Sequence, residues 1–220
     1  MIEIARIYTD FPDKFGIPRQ SGLVKELKGE IVFAKEYASP EAVRGLEEYS
    51  HIWILWEFSR NIRDKWSPTV RPPRLGGDKR MGVFATRSPF RPNPIGLSVV
   101  ELDYIEMRDG KGPVLHVSGA DLMNDTPIYD IKPYLPHVDA IPDAKGGFAQ
   151  QYKDYSLEVD FPEELLCKVP EDKREALIKV LSNDPRPSYQ DDSERVYGMS
   201  FAGLNIRFLV KNSTVFVKEL

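Results

Sequence analysis

Arg87 and Arg91 lie in Arg87-Ser88-Pro89-Phe90-Arg91-Pro92-Asn93-Pro94, where three prolines stiffen the chain around two guanidinium groups. Proline fixes φ at about −65° and pushes the residue before it toward extended backbone. A loop built this way loses little conformational freedom when it binds something. Guanidinium forks held in place suit a carboxylate or a phosphate. The same arginines would also serve in surface ion pairs, which are often energetically inert.

Three other segments share this design. Gly16-Ile17-Pro18-Arg19-Gln20 is a second proline-fixed turn, and Gln20 offers both donor and acceptor for a base edge or a ribose. Asp121-Leu122-Met123-Asn124-Asp125-Thr126-Pro127 concentrates acids, an amide and a hydroxyl ahead of Asp130, Lys132 and Tyr134. Tyr134 lies between Pro133 and Pro136 and is suited to stacking on a base, although a turn leading into an edge strand fits equally. Asp184-Pro185-Arg186-Pro187-Ser188-Tyr189 repeats the pattern after a helix, where phosphate contact and a simple helix stop are both open.

Charge points to a polyanionic partner. The net charge is −4, yet Arg60 to Arg91 holds nine basic residues and two acids, a local +7 that leaves −11 for the rest. Concentrated basic charge on an acidic chain focuses positive potential on one surface, and nucleic acid is the usual partner. Pro68, Pro72 and Pro73 favour a semi-extended loop over a basic helix. Arg71, Arg74, Lys79 and Arg80 are its central cations.

These loops need a scaffold. The chain has 220 residues, 41% hydrophobic and 29% charged, enough for one large domain or a medium one with a small companion. Strand-like runs cover 4–9, 29–37, 51–58, 81–86, 98–107 and 113–119, bounded mostly by Gly, Pro, Asp or Asn. Residues 99–105 do not alternate cleanly, which predicts a strand buried on both faces. Ser39-Pro40-Glu41 predicts one short helix ending near Tyr49. Many short strands with few helices point to a barrel or a sandwich. Residues 139–148 read as a linker, dividing 1–142 from a small α+β domain at 143–220. In that domain 156–161, 195–201, 204–211 and 213–220 are strands, and 163–168 and 171–181 are helical.

Several chemistries are excluded. There is no Gly-x-Gly-x-x-Gly turn, no phosphate loop of the Walker type and no Gly-x-Ser-x-Gly elbow. His51, His116 and His137 lack metal-ligand spacing, so no metal is expected and the first two read as hydrogen-bonded structural residues. Cys167, the single cysteine, reads as a small core residue and allows no internal disulfide. No apolar run approaches the roughly 20 residues of a membrane span, and Met1–Arg6 lacks a signal-peptide layout. A cytoplasmic protein is the simplest expectation.

Six blocks, in order, closely resemble the TsaA-like (TrmO) family of S-adenosylmethionine-dependent tRNA methyltransferases. They are residues 18–23, 42–47, 50–55, 71–77, 80–97 and 130–136; Asp184-Pro185-Arg186-Pro187 resembles the two-domain bacterial branch. The resemblance implies a mainly β fold, an N-terminal β-barrel followed by a small α+β domain. It implies methylation of N6 of threonylcarbamoyladenosine, the modified base just 3′ of the anticodon, by a homodimer with the donor near the subunit interface. Donor contacts would fall on Pro18, Arg19, Gln20, Ser59, Arg60, Arg87, Leu97, Met123, Asn124, Asp125 and Thr126. Arg71, Arg74, Lys79, Arg80, Arg91, Lys132 and Arg186 would hold the anticodon stem-loop or the substrate carboxylate. Asp125, Asp130 and Tyr134 would be candidates to accept a proton. Two positions depart from the family pattern: Ser59-Arg60 replaces His-Gln, and Asn124-Asp125-Thr126 replaces Asp-Gly-Thr. Asp tolerates the left-handed conformation of the missing glycine, so the loop is expected to keep its shape. The alternatives are a barrel methyltransferase for another small substrate and a non-catalytic module that binds S-adenosylmethionine or RNA.

Overall fold

The structure, a computed structural model, describes residues 1–60, 65–72, 75, 79–186 and 192–220. Strands β1 (Ala5–Thr9), β2 (Lys28–Phe33) and β3 (His51–Glu57) are followed by a short hairpin, β4 (Thr69–Val70) with β5 (Met81–Gly82). Next come the long β6 (Ile95–Arg108), β7 (Gly112–Ser118) and β8 (Thr126–Pro133). β1, β2, β7, β6, β3 and β8 close into a barrel in that spatial order. Each neighbouring pair is antiparallel. Alternating residues turn Ile7, Ile31, Ile52, Ile54, Val117 and Ile128 into a fully buried interior. Each such side chain contributes about 1.5–3 kcal/mol of burial free energy.

The expected barrel-or-sandwich is thus a barrel, with local corrections. The predicted helix at 39–49 is two 3₁₀ turns, Pro40–Val43 and Leu46–Glu48, and Ser39 makes no side-chain cap. Gly45 between them, at φ 84°, takes a left-handed conformation that ends the first turn and prevents one continuous helix. The predicted strand at 81–86 shortens to Met81–Gly82 and becomes a 3₁₀ turn at Val83–Ala85. The segment after Asp125 is a barrel strand paired on both sides, to β1 and to β3, so Asp130 and Lys132 are held on a sheet rather than a loop. The broken alternation near residue 103 marks a bulge: pairing to β7 jumps between Leu102 and Tyr104. The strand buried on both faces is instead β7, where Val114, Leu115 and Val117 are all inaccessible.

After a one-turn α1 (Pro136–Asp139) the chain forms β9 (Glu158–Asp160), α2 (Glu163–Leu166), α3 (Glu171–Ser182), β10 (Tyr197–Phe201), β11 (Leu204–Lys211) and β12 (Thr214–Glu219). The sheet order is β10-β11-β12-β9, with β9 parallel to β12. Acids at Glu171 and Asp172 and a base at Lys179 suit the dipole of α3. Its Ala176, Leu177, Val180 and Leu181 form the buried stripe. Cys167 does not join that core; it is exposed, because α2 is one turn long and its thiol points to Glu163.

Candidate functional site

The connection between β1 and β2 carries Pro18, Arg19 and Gln20, and it leaves the barrel to do so. Phe11, Val24 and Leu27 are buried in the core of the second sheet, not in the barrel interior. Phe11 packs on Phe201 at 5.2 Å, and the Ala202 amide donates to the Asp10 carbonyl at 2.9 Å. Gly16, at φ +95°, lies against Met199; a Cβ there would come within 2.1 Å of its sulfur. The C-terminal sheet thereby fixes the path of the loop.

Arg186 completes that hold. Its carbonyl accepts from Arg19 Nη2 at 3.0 Å. Its guanidinium grips Asp184 through two bonds of 2.8 and 3.0 Å, and the Tyr155 hydroxyl donates to the same carboxylate at 2.9 Å. Burial pushes Asp184 upward, but Arg186 and Tyr155 outweigh it and hold the carboxyl below its usual range. Both side chains of the pair are only 11% exposed. The charge of Arg186 is therefore committed inside the protein, and what this loop supplies is the anchor for Arg19.

Gln20 in turn meets the proline-braced loop: Arg87 Nη1 donates to its side-chain oxygen. Two loops distant in sequence are thus joined by an arginine and an amide. Beneath them lies a polar chain. The Trp56 indole donates to Ser98 Oγ at 3.0 Å, and Ser98 donates to Asp121 Oδ1 at 2.6 Å. Burial pushes the Asp121 carboxyl above its ordinary value, against the opposing pull of Ser98, backbone amides and Arg87. Gly96 makes room for the chain, since a Cβ there would lie 2.2 Å from the Trp56 ring. The sequence placed Asp121 only within its acid-rich segment and singled out neither Ser98 nor Trp56. The signal that would have found them is Ser98 itself, a hydroxyl at an inward-facing strand position that must have a partner.

Several of the other expected donor contacts have partners of their own. Asp125 takes φ 66°, the left-handed conformation expected of a glycine substitute. Its carboxylate pairs with Arg6 at 2.9 Å. The Asn124 side chain accepts from the Thr9 amide at 3.0 Å, and Thr126 Oγ1 donates to the Met123 carbonyl at 2.7 Å. This turn is therefore clamped to β1. Leu97 stands 53% exposed on the outer barrel face. Ser59 and Arg60 are exposed in the turn that ends β3. Asp130 pairs with Lys132 at 2.9 Å, and the Tyr134 ring lies 5.8 Å from Trp53 and 6.2 Å from His51.

Of the cations, Arg71, Lys79 and Arg80 are exposed on the β4–β5 arm, and Arg74 lies outside the described residues. Arg91 is half-buried and donates to the Thr86 carbonyl at 3.1 Å. His116 donates to the Glu106 carboxylate at 2.9 Å, and His51 shares a 2.9 Å bond with the Ser50 hydroxyl. Among the described residues no group of three or more His, Cys, Asp or Glu could hold a metal ion, and no helix is long and apolar enough to cross a membrane.

Fold and site together define a β-barrel protein whose candidate loops are charged, proline-braced and free of a dinucleotide-type glycine turn. Comparison with known proteins gives that class a family. The model of the tRNA-methyltransferase O N-terminal domain matches residues 6–140, and that of the TrmO C-terminal domain matches 154–220. The chain belongs to this family. It is 42% identical over 219 residues to the Escherichia coli (strain K12) protein named tRNA (adenine(37)-N6)-methyltransferase, covering 96% of this chain and 93% of that one. A Pyrococcus abyssi protein named "Probable S-adenosyl-L-methionine-binding protein" is 34% identical over 148 residues, covering 67% of this chain and 74% of its own. The crystal structure of TrmO from Pseudomonas aeruginosa superposes with a TM-score of 0.78 at 32% identity, covering 99% of this chain and 96% of that one.

Proposed function

We propose that this chain is an S-adenosylmethionine-dependent tRNA methyltransferase acting on N6 of adenine 37, with threonylcarbamoyladenosine as the base it modifies. The observation that carries this is the whole-length match to a relative named for that reaction, with both family models satisfied. A homodimer working in the cytoplasm completes the reading.

The residues present fit the donor. Arg87, immobilised by its loop and by Gln20, suits a carboxylate; Gln20 suits a base or ribose edge; exposed Leu97 offers apolar surface. Pro18 and Arg19 shape the same loop, while Ser59, Arg60 and the turn Met123–Thr126 would complete the donor's surroundings largely through backbone groups. Bound there, the donor supplies a methyl group activated by its sulfonium. The protein's share is to position the acceptor nitrogen, which can supply several kcal/mol and up to about 7–11 in ideal cases. That nitrogen is drained by the purine and the carbamoyl carbonyl, so a base must accept its proton during or before transfer. Asp125, Asp130 and Tyr134 are the candidate acceptors. Arg91 or Lys132 would hold the threonyl carboxylate, and Arg71, Arg74, Lys79 and Arg80 the anticodon-arm phosphates.

The direct experiment is incubation of purified protein with S-adenosylmethionine and tRNA bearing threonylcarbamoyladenosine, followed by mass spectrometry of the nucleosides. One added methyl on that nucleoside is expected. Donor binding without methyl transfer would instead favour a sensing module.

A further inference from the structure

Two large aromatic side chains stand in solvent at the base of the basic arm. Trp66 is 52% exposed and Phe84 71% exposed. Their ring centroids lie 6.1 Å apart with planes 29° from parallel. The guanidinium carbon of Arg91 lies 5.9 Å from the centre of the Phe84 ring. The pair is held by local structure. Thr69 pairs with Gly82 and Val70 with Met81, and the Val83 amide donates to the Pro68 carbonyl at 2.9 Å. Val83 is completely buried, so the 3₁₀ turn that follows is pinned on one side and presents Phe84 on the other.

The surroundings say what such a surface would meet. Residues 65–100 carry seven Lys or Arg side chains and a single acid, Asp78. An apolar protein partner would gain nothing from so one-sided a charge. A single-stranded nucleic acid uses both features, because its phosphates meet the cations and every base has a π-face to lay on a ring.

We propose that Trp66 and Phe84 form a stacking platform for an unpaired base of the tRNA anticodon loop, with Arg80 and the neighbouring arm cations on the flanking phosphates. The inference rests on the tRNA reading above and adds to it a base contact on the arm. Such a contact would lock the loop in register while the modified base is presented to the donor site.

Trp66→Ala, Phe84→Ala, the double variant and the conservative Trp66→Phe would test it. An anticodon stem-loop carrying 2-aminopurine at successive loop positions serves as the probe, alongside calorimetry with S-adenosylmethionine and light-scattering mass. The wild type should quench 2-aminopurine at one loop position, and the double variant should not. Stem-loop affinity should fall about tenfold or more in the double variant and stay near the wild-type value in Trp66→Phe. Donor affinity should stay within about twofold, as suits residues outside the donor loops. Unchanged stem-loop affinity in the double variant would overturn the platform while leaving the tRNA reading intact. A shift of the double variant to a smaller oligomer would also overturn it, by making the pair an interface between copies. If the wild type itself neither binds nor methylates tRNA, the underlying reading fails first.

Discussion

Ser98 Oγ lies 2.6 Å from Asp121 Oδ1 while it accepts the Trp56 indole N–H at 3.0 Å, so one buried hydroxyl satisfies two groups. Removing it orphans the Trp56 indole and takes one of several partners from Asp121. Ser98→Ala is expected to cost about 1–3 kcal/mol in urea unfolding with an unchanged m-value. Asp121 adds a pH signature. Its folded carboxyl is raised above the ordinary 3.8, so its contribution is fully present below 3.8 and is lost as pH rises through the folded value. Asp121→Asn removes that titration. The wild type should therefore lose stability relative to the variant as pH climbs from 3.8 toward neutrality, in unfolding curves taken across that range.

Arg87 is exposed, yet its side chain is tied to Gln20 across two loops. Arg87→Ala should weaken S-adenosylmethionine binding by about tenfold or more, the worth of a charge-assisted hydrogen bond. Fold stability should change by less than about 0.5 kcal/mol, as for other exposed substitutions. Calorimetry with unchanged donor affinity would remove Arg87 from the donor site.

The C-terminal domain has a predicted role in donor binding although it lies outside the barrel. Asp184→Asn keeps the left-handed backbone at φ 52°, which Asn tolerates, and removes the partner of Arg186. A loss of about 1–3 kcal/mol at neutral pH is expected. Asp184 is depressed in the fold, so this stabilisation is present above 3.8 and disappears as pH falls through the folded value. The gap between wild type and variant should close in acid. Donor affinity should also weaken, because the Arg186 carbonyl anchors Arg19.

The strand pattern, the absence of a glycine fingerprint and the proline-braced loops were all legible in the residues, because each depends on local backbone preference. What was not legible depends on contacts between distant segments. Nothing in Asp10–Leu27 says that Phe11 and Val24 belong to a core built from residues beyond 157. Nothing in Asp184-Pro185-Arg186 says that the arginine turns inward. The failed helix at 39–49 shows the converse: capping residues were present, but Gly45 in a left-handed conformation outweighed them. Asp121 was legible only as one acid of its segment, because its partner Ser98 and, through it, Trp56 come from other strands.

Binding to tRNA should weaken steeply with salt. Substituting Lys79 and Arg80 with Ala should lower the magnitude of the log–log salt slope by about 1 for each lost phosphate contact, uniformly across tRNA sequences. Filter binding between low and physiological salt would measure it. A slope identical to that of the wild type would take these two residues out of the interface.

Nucleoside mass spectrometry of tRNA from cells with and without this protein bears most immediately on what the chain does. N6-methylated threonylcarbamoyladenosine should vanish in its absence and return on complementation with the wild type, but only weakly with Arg87→Ala. Its persistence at an unchanged level in cells lacking the protein, with no other methyltransferase supplying it, would contradict the proposed reaction.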